Sequence, residues 1–269
     1  MAERRPFLRI NDVSKTFFIK EERIEALHHI DLIVNKGEFV CLIGASGCGK
    51  STLLRIVAGF EQPSSGDVRV YDAPVTGPDS DRGMVFQDYA LFPWMTVREN
   101  IAFGARQKKL PAAEIKILSE KHLEMVGLTA FADRYPYQLS GGMKQRVAIA
   151  RVLANEAHIL LMDEPFGALD ALTREQLQDE LLEIWARTQV TIIFVTHSVE
   201  EATMLADRVV VMTAGPGRVD SDNRVRLARP RDVSAPDFNE ARRKLTERLT
   251  SHLRRREPDR AIEPSYCRP

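Results

Sequence analysis

Several common sequence features are absent from this chain, and each absence excludes a class of protein. Only 3 of the 269 residues are cysteine, and Cys41, Cys48 and Cys267 form neither a C-x-x-C pair nor a metal-binding spacing. A disulfide-held scaffold is therefore excluded, and a reducing compartment is expected. No stretch approaches the about 18 uncharged apolar residues of a membrane-spanning helix. The first residues also lack the apolar core of a signal peptide, so we expect any contact with a membrane to be peripheral.

Net charge is absent as well. The chain has 38 basic and 38 acidic residues, so it shows no overall electrostatic signature of nucleic-acid binding, and we expect no nucleic-acid partner. With 269 residues, of which 44% are hydrophobic, it is long enough for one large α/β domain or two small ones with a sizeable core. The composition is that of a globular protein.

A glycine-rich loop, Gly44 to Thr52, separates an apolar run at residues 38–43 from another that begins at Leu53. It fits G-x-x-x-x-G-K-[ST], in which backbone N–H groups surround phosphate oxygens, the lysine reaches the terminal phosphates and the hydroxyl holds Mg²⁺. Glycine lets the main chain approach an anion closely, and a helix starting near Lys50 presents unpaired N–H groups and roughly half a positive charge. The loop therefore predicts a nucleotide-phosphate site.

The apolar patterns around this loop predict the rest of the architecture. Residues 7–18 and 26–34 alternate in polarity like antiparallel strands. From 88 to 155, apolar residues recur at helical spacing with almost no strand-like run, which predicts an inserted helical region. Two strongly apolar runs, 159–162 and 190–195, then flank a helical pattern. Such alternation predicts a parallel sheet with crossover helices and a site at the carboxyl ends of its strands.

The C-terminal part has a weaker pattern. Residues 209–212 indicate a strand, and the Arg- and Pro-rich stretch that follows predicts little regular structure up to Pro236. We expect one domain over 1–235, a basic amphipathic helix over 236–256 and a disordered tail over 257–269. The helix has two interpretations, packing on the domain or contact with anionic lipid headgroups.

Two neighbouring carboxylates follow the apolar run 159–162. Desolvating Asp163 and Glu164 would be costly unless a cation lies nearby. In a phosphate-loop enzyme Asp163 would act with Ser51 on Mg²⁺, leaving Glu164 to polarise the attacking water as general base. The pair therefore predicts the metal ligand and the base of a nucleotide hydrolase.

A second helix start has the pattern of an anion site. Ser140 precedes Gly141, Gly142 and a strongly helical run, so its hydroxyl is a natural N-cap and the glycines leave backbone N–H groups bare. By itself the pattern also fits a well-capped helix without a ligand. Beside the glycine loop, it gives one fold two phosphate-binding helix ends.

Six motifs in this order resemble those of the nucleotide-binding subunits of ABC transporters, over about residues 7–232. The resemblance pairs Gly44 to Thr52 with Walker A, Gln87 with the Q-loop, Leu139 to Gln145 with the signature motif, Ile159 to Glu164 with Walker B, Gly167 to Asp170 with the D-loop, and Thr196-His197 with the switch histidine. It implies an α/β fold class: a P-loop NTPase of ABC type, with a RecA-like parallel-sheet core, an N-terminal antiparallel β subdomain and an inserted α-helical subdomain.

The resemblance also implies a head-to-tail homodimer, with ATP and Mg²⁺ between Walker A of one subunit and the signature helix of the other. The implied catalytic residues are Glu164, His197 and Gln87. The implied metal ligands are Ser51, Gln87 and Asp163. The implied nucleotide contacts are Phe17, Gly44, Ser46, Gly47, Cys48, Gly49, Lys50, Ser51, Thr52, Ser140, Gly141, Gly142 and Asp170. For stacking on adenine, Phe18 is the alternative to Phe17.

Finer strings resemble the importers of nitrate, aliphatic sulfonates and taurine, which are related to bicarbonate and thiamine-precursor importers. They include Leu91 to Val97, Glu99 to Gly104 and Pro165 to Thr173. This implies an ATPase subunit at the cytoplasmic face of the membrane that powers uptake of a small anion. Transmembrane permease subunits and, indirectly, a solute-binding protein are the implied partners. An exporter ATPase shares the core motifs and stays open as an alternative.

Two functions outside transport are disfavoured. Soluble ABC ATPases that act on DNA or ribosomes usually carry tandem ATPase halves or a long coiled coil between the motifs, and this chain has neither. A regulatory phosphate-loop GTPase would need an N-K-x-D motif, and the nearest string is residues 35–38.

Two further positions stand out within the resemblance. The residue after the switch histidine is usually acidic, but here it is Ser198, and we expect a modest change in the loop that leaves His197 able to act. Trp94 belongs to an aromatic cluster after the Q-loop, where the family docks a coupling helix of its membrane subunit. We expect Trp94 either in that interface or in the core of the helical subdomain.

Overall fold

The structure, a computed structural model, describes residues 7–20, 22–167 and 169–254. The predicted disordered tail, residues 257–269, lies outside the described residues, as does the start of the chain. Within the described part, no helix is both long enough and apolar enough to cross a bilayer.

Ten strands in the described residues form two sheets. In chain order they are β1 (Leu8–Ile19), β2 (Glu22–Val34), β3 (Phe39–Gly44), β4 (Ser65–Val70), β5 (Ala73–Pro74), β6 (Arg82–Val85), β7 (Ile159–Asp163), β8 (Thr191–Val195), β9 (Arg208–Thr213) and β10 (Arg218–Arg224). The smaller sheet is antiparallel, in the order β2-β1-β4-β5. The larger has the order β10-β9-β3-β8-β7-β6.

The larger sheet is parallel from β9 to β6, as the sequence predicts. All residues of β3 and β8 are buried, since crossover helices and the smaller sheet cover the faces of such a sheet and require continuous apolar runs. Alternate residues of β3 enter two separate cores. One core receives Phe39, Cys41 and Ile43, and the other receives Val40 and Leu42.

Seven α-helices accompany these strands in the described residues. They are α1 (Lys50–Ala58), α2 (Val97–Gln107), α3 (Ala112–Met125), α4 (Gly141–Leu153), α5 (Ala171–Thr188), α6 (Val199–Leu205) and α7 (Pro236–Arg254). Helices α2, α3 and α4 lie inside the range 88–155, where the sequence predicts a helical subdomain. The domain limits themselves stay predictions. The sequence patterns do not predict α6, because its seven residues are too few for a clear helical pattern.

The stretch after β9 is more ordered than its composition indicated. Residues 218–224 form β10, antiparallel to β9. The expectation of little regular structure is therefore wrong at these positions. The strand lies at the edge of the sheet with only alternate residues half-buried, so it can be polar at every position except Val219. The Arg208 Nε donates to Asp222 across the strand pair at 3.0 Å.

Arg231 fixes the segment between β10 and α7. Its guanidinium donates to the carbonyl oxygens of Thr203, Met204 and Ala206 at the end of α6, where helix carbonyls lack intrahelical partners. Burial lowers the pKa of Arg231 to about 10, so the side chain stays charged near pH 7. These hydrogen bonds hold the segment between β10 and α7 against the end of α6.

Helix α7 packs its apolar face on the domain, where Phe238 and Leu245 are buried. Three of its basic side chains are in ion pairs: Arg242 with Glu200, Arg243 with Glu247 and Lys244 with Glu240. Of the two interpretations of this helix, the structure favours packing on the domain, because these pairs reduce the positive charge available to lipid headgroups.

Candidate functional site

The predicted glycine loop, metal ligands and catalytic residues follow four adjacent strands of the parallel sheet. Gln87 follows β6, Asp163 ends β7, His197 follows β8 and the glycine loop follows β3. Because the carboxyl ends of parallel strands meet at one edge of a sheet, residues far apart in sequence converge there.

The glycine loop turns tightly between β3 and α1. A Cβ at Gly44 would lie 2.5 Å from the Met212 carbonyl oxygen, and Gly49 adopts a left-handed φ of 88°. Only glycine fits both positions without strain. No side chain caps the start of α1, so its first backbone N–H groups are available to an anion.

Lys50 directs its ammonium into this loop. The side chain is 5% exposed, and Nζ donates to the carbonyl oxygens of Gly44 at 2.9 Å and Ala45 at 3.1 Å. The buried Cys48 Sγ lies 3.6 Å from the same Nζ. A positive charge is thus held among the loop's backbone groups. The remaining predicted contacts of the loop are Ser46 and Gly47, both exposed at its tip, and Ser51 and Thr52 in the first turn of α1.

Ser51 in the first turn of α1 contacts Asp163 at the end of β7. The Ser51 hydroxyl donates to Asp163 Oδ1 at 2.8 Å. Burial raises the pKa of Asp163, and the nearby Glu164 carboxylate adds to this, whereas the Ser51 hydrogen bond opposes it. A hydroxyl and a carboxylate side by side are the hard oxygen ligands that Mg²⁺ prefers, so these residues fit that ion.

Glu164 and His197 form a second pair beside the first. The Glu164 Oε2 lies 3.4 Å from His197 Nδ1, and the Glu164 N–H donates to the Val195 carbonyl oxygen at 3.0 Å. Glu164 has a left-handed φ of 46°, a conformation that costs a non-glycine residue about 1–3 kcal/mol and is common at functional sites.

Gln87 reaches the same turn. A Cβ built at Gly167 would lie 3.4 Å from Gln87 Nε2 and 4.0 Å from Glu164 Oε2. Both side chains therefore border one glycine, and the structure brings together all three residues of the predicted catalytic set.

The predicted anion site at α4 has the expected cap. The Ser140 hydroxyl accepts from the Met143 N–H at 3.3 Å, and Gly142 abuts Leu177 of α5. Asp170 caps α5 by accepting from the Thr173 N–H at 3.0 Å. That backbone hydrogen bond is the main cause of the lowered pKa of Asp170. Two helix starts, those of α4 and α5, thus lie together.

A family model described as ABC transporter matches residues 27–167, which is more than half of the chain. The chain belongs to the ABC transporter family.

Named relatives in this family include import proteins. The chain is 49% identical to the nitrate import ATP-binding protein of Synechocystis sp. over 85% of each chain. It is also 49% identical to the taurine import ATP-binding protein of Roseobacter denitrificans, over 82% of this chain and 83% of the relative. Among solved structures, a dimeric post-hydrolysis ATP-binding cassette bound to ADP and phosphate is 33% identical. Its TM-score is 0.71, with coverage of 82% of this chain and 100% of the cassette.

The adenine contact of this ABC protein stays a prediction. Phe17 and Phe18 both lie near the end of β1, which pairs with β2. The Phe18 side chain is 76% exposed, whereas Phe17 is half-buried with the Lys15 ammonium 4.9 Å from its ring centroid. Both rings are therefore at least partly open to solvent, and neither belongs to the closed core.

Sequence reasoning missed Glu201 and Arg174, which connect to the backbone beside His197 through Thr196. The Thr196 hydroxyl donates to Glu201 Oε2 at 2.5 Å, and Arg174 Nε lies 3.6 Å from Glu201 Oε1. One signal was available: Ser198 and Glu201 have the S-x-x-E spacing of a capping box. In this ABC protein only half of the box forms, with the Ser198 hydroxyl accepting from the Glu201 N–H, because the carboxylate turns to Thr196 instead.

Proposed function

We propose that this chain is the ATP-binding and ATP-hydrolysing subunit of an ABC importer. The observation that carries the proposal is the Ser51–Asp163 pair beside the Glu164–His197 pair, on the sheet edge that holds the glycine loop. The loop amides, the start of α1 and the Lys50 ammonium bind the ATP phosphates.

Glu164 acts as the general base on the attacking water. A positioned base typically contributes about 10² to 10⁴ in rate. His197 contacts the γ-phosphate, and Gln87 orients the water. Ser51, Asp163 and Gln87 would hold Mg²⁺, which neutralises charge on the β- and γ-phosphate oxygens when bound.

The working unit is a head-to-tail homodimer of domains that span 1–235, each with its helical subdomain over 88–155. The chain carries one copy of each motif, and the related cassette is dimeric. ATP then lies between the glycine loop of one subunit and Ser140, Gly141, Gly142 and Asp170 contributed by the other. ATP binding closes the dimer and hydrolysis releases it, which is a switch driven by differential binding.

The permease docks beside Trp94, at the cytoplasmic face of the membrane. Trp94 is 70% exposed, which argues against a place in the subdomain core, and its ring centroid lies 5.7 Å from that of Phe92. Phe86, Phe92 and Phe103 line an adjoining groove of about 410 Å³. An exposed aromatic beside an apolar groove suits a helix of a membrane subunit.

The solute is a small anion of the nitrate, sulfonate or taurine type, delivered by a separate solute-binding protein. The names of the nitrate and taurine import relatives support this class. Its test is made on the cognate binding protein, whose melting temperature should rise with one of these anions through binding linkage. Stabilisation by a neutral heteroaromatic compound instead would contradict the anion class.

The first test of the proposed function uses Lys50→Ala in the full chain. Loss of the ammonium should raise the Kd for ATP by about 10- to 100-fold, since a charge-assisted hydrogen bond contributes about 1.5–3 kcal/mol. Hydrolysis should fall in parallel. Phosphate release and ATP titration measure both quantities.

The matched control for that test is Lys116→Ala, which removes an exposed lysine of α3. We expect its affinity and turnover to match those of the unaltered protein. An unaltered protein that neither binds nor hydrolyses ATP, or a Lys50→Ala protein with normal affinity, would overturn the assignment.

A further inference from the structure

Glu201 is a buried carboxylate that the hydrolytic mechanism above does not use. It is 8% exposed on α6, and burial raises its pKa, opposed by the Thr196 hydrogen bond and the Arg174 charge. A carboxylate withdrawn from water destabilises a fold unless partners compensate for the lost hydration. The identity of those partners therefore indicates what the residue does.

The first partner, Thr196, fixes the backbone on both sides of His197. Its N–H donates to the Leu42 carbonyl oxygen at 3.2 Å, in the strand that ends at the glycine loop. Its hydroxyl donates to Glu201 Oε2 at 2.5 Å and accepts from the Ser198 N–H at 3.0 Å. Since the His197 side chain is 66% exposed, it is this hydrogen-bonded backbone, rather than close packing, that sets the direction of the imidazole toward Glu164.

The second partner, Arg174, connects Glu201 to the turn that precedes α5. Its Nη2 donates to the Leu169 carbonyl oxygen at 2.9 Å, one residue before Asp170. Its Nε lies 3.6 Å from Glu201 Oε1 and, within the described residues, is buried without a hydrogen-bond partner. The Arg174 guanidinium thus contacts the turn at Leu169 on one side and faces the Glu201 carboxylate on the other.

We propose that Glu201 is a positioning residue for ATP hydrolysis, which with Arg174 and Thr196 couples the Leu169–Asp170 turn to the orientation of His197. The inference rests on the proposed function. Under that function Asp170 lies at the dimer interface, so a shift of the turn on dimer closure is transmitted through Arg174 and Glu201 to the backbone around His197. Glu201 itself touches neither nucleotide nor water.

The test compares Glu201→Gln with unaltered protein in the full chain. Glutamine keeps the size and still accepts from Thr196, but it loses the charge that attracts Arg174. We expect kcat to fall at least about tenfold, since small displacements of catalytic groups are costly, with the Kd for ATP unchanged within about twofold. Glu200→Gln, one residue away at an exposed ion pair with Arg242, is the matched control and should keep the normal kcat.

A double variant separates positioning from a merely structural role. If Glu201 acts through His197, adding Glu201→Gln to His197→Ala should lower the residual rate no further. Equal fold losses in both backgrounds, or a Glu201→Gln protein with normal kcat, would overturn the proposal. Should Glu201→Gln fail to fold, Thr196→Val takes its place and should lose kcat, with Thr196→Ser restoring it.

The same data distinguish this inference from the proposed function. If the unaltered protein does not hydrolyse ATP, the function fails. If it does, and His197→Ala loses activity while Glu201→Gln does not, only the coupling through Glu201 is overturned.

Discussion

At the scale of the residue, Ser198 is where this chain departs from the family pattern. Its hydroxyl accepts from the Glu201 N–H at 3.2 Å and caps α6. Serine and aspartate are equally good N-caps. The position therefore keeps its structural task without a negative charge next to His197.

We expect Ser198→Asp to change turnover by less than about tenfold, because aspartate preserves the cap of α6 and with it the backbone beside His197. The measurement is kcat at saturating ATP. Ser198→Ala is the comparison variant, which removes the cap. We expect the Ser198→Ala protein to be less stable by about 0.5–2 kcal/mol in thermal unfolding. A gain above about tenfold in Ser198→Asp would show that a carboxylate is missing here.

At the scale of the element, the segment between Gln87 and α2 places an aromatic side chain in solvent. Asn100 of α2 holds this segment by accepting from the Phe92 N–H at 2.9 Å and donating to the carbonyl oxygens of Phe92, Met95 and Thr96. Because these hydrogen bonds fix the backbone around Trp94, its side chain is exposed on an ordered turn.

Trp94→Ala should leave hydrolysis by the isolated chain intact but weaken its assembly with the permease. Truncating an interface anchor costs about 2 kcal/mol or more, so the affinity should fall at least about 30-fold. Co-purification and transport in reconstituted vesicles measure this. The matched control is Ile117→Ala, a side chain 66% exposed on α3. Normal assembly and transport by Trp94→Ala would refute the interface.

At the scale of the whole molecule, the two predicted phosphate-binding helix ends have different neighbours within the chain. The glycine loop and the carboxylates Asp163 and Glu164 share one sheet edge, whereas the start of α4 packs against α5 and the turn at Leu169. Under the proposed function, the start of α4 therefore binds the nucleotide that the glycine loop of a second copy holds.

Glu164→Gln should bind ATP, form a stable dimer and lose about 10²- to 10⁴-fold in hydrolysis, because the base is removed while the phosphate contacts remain. Light scattering with and without ATP measures the dimer, and phosphate release measures the rate. Glu183→Gln, on an exposed position of α5, is the control and should behave like the unaltered protein. Normal hydrolysis by Glu164→Gln would remove the assigned base.

The sequence by itself determined the features that depend on contiguous residues. The glycine loop, the cap at Ser140 and the buried strands could be predicted because backbone conformation, capping and burial pattern act over a few neighbouring positions. The family motifs added residue roles that the pattern alone left open, and all of those roles stay predictions, those of Phe17 and Gln87 included.

Only the tertiary structure decided what depends on strand order and on burial. It placed β3 beside β8, next to β7, which brings the loop, Asp163, Glu164 and His197 to one edge. It turned the mostly polar residues 218–224 into an edge strand, since pairing with β9 satisfies their backbone without a continuous apolar face. It directed Glu201 away from the cap and toward Thr196 and Arg174. The reason is that a buried charge takes its partners from whatever side chains the fold encloses with it, and sequence spacing does not specify them.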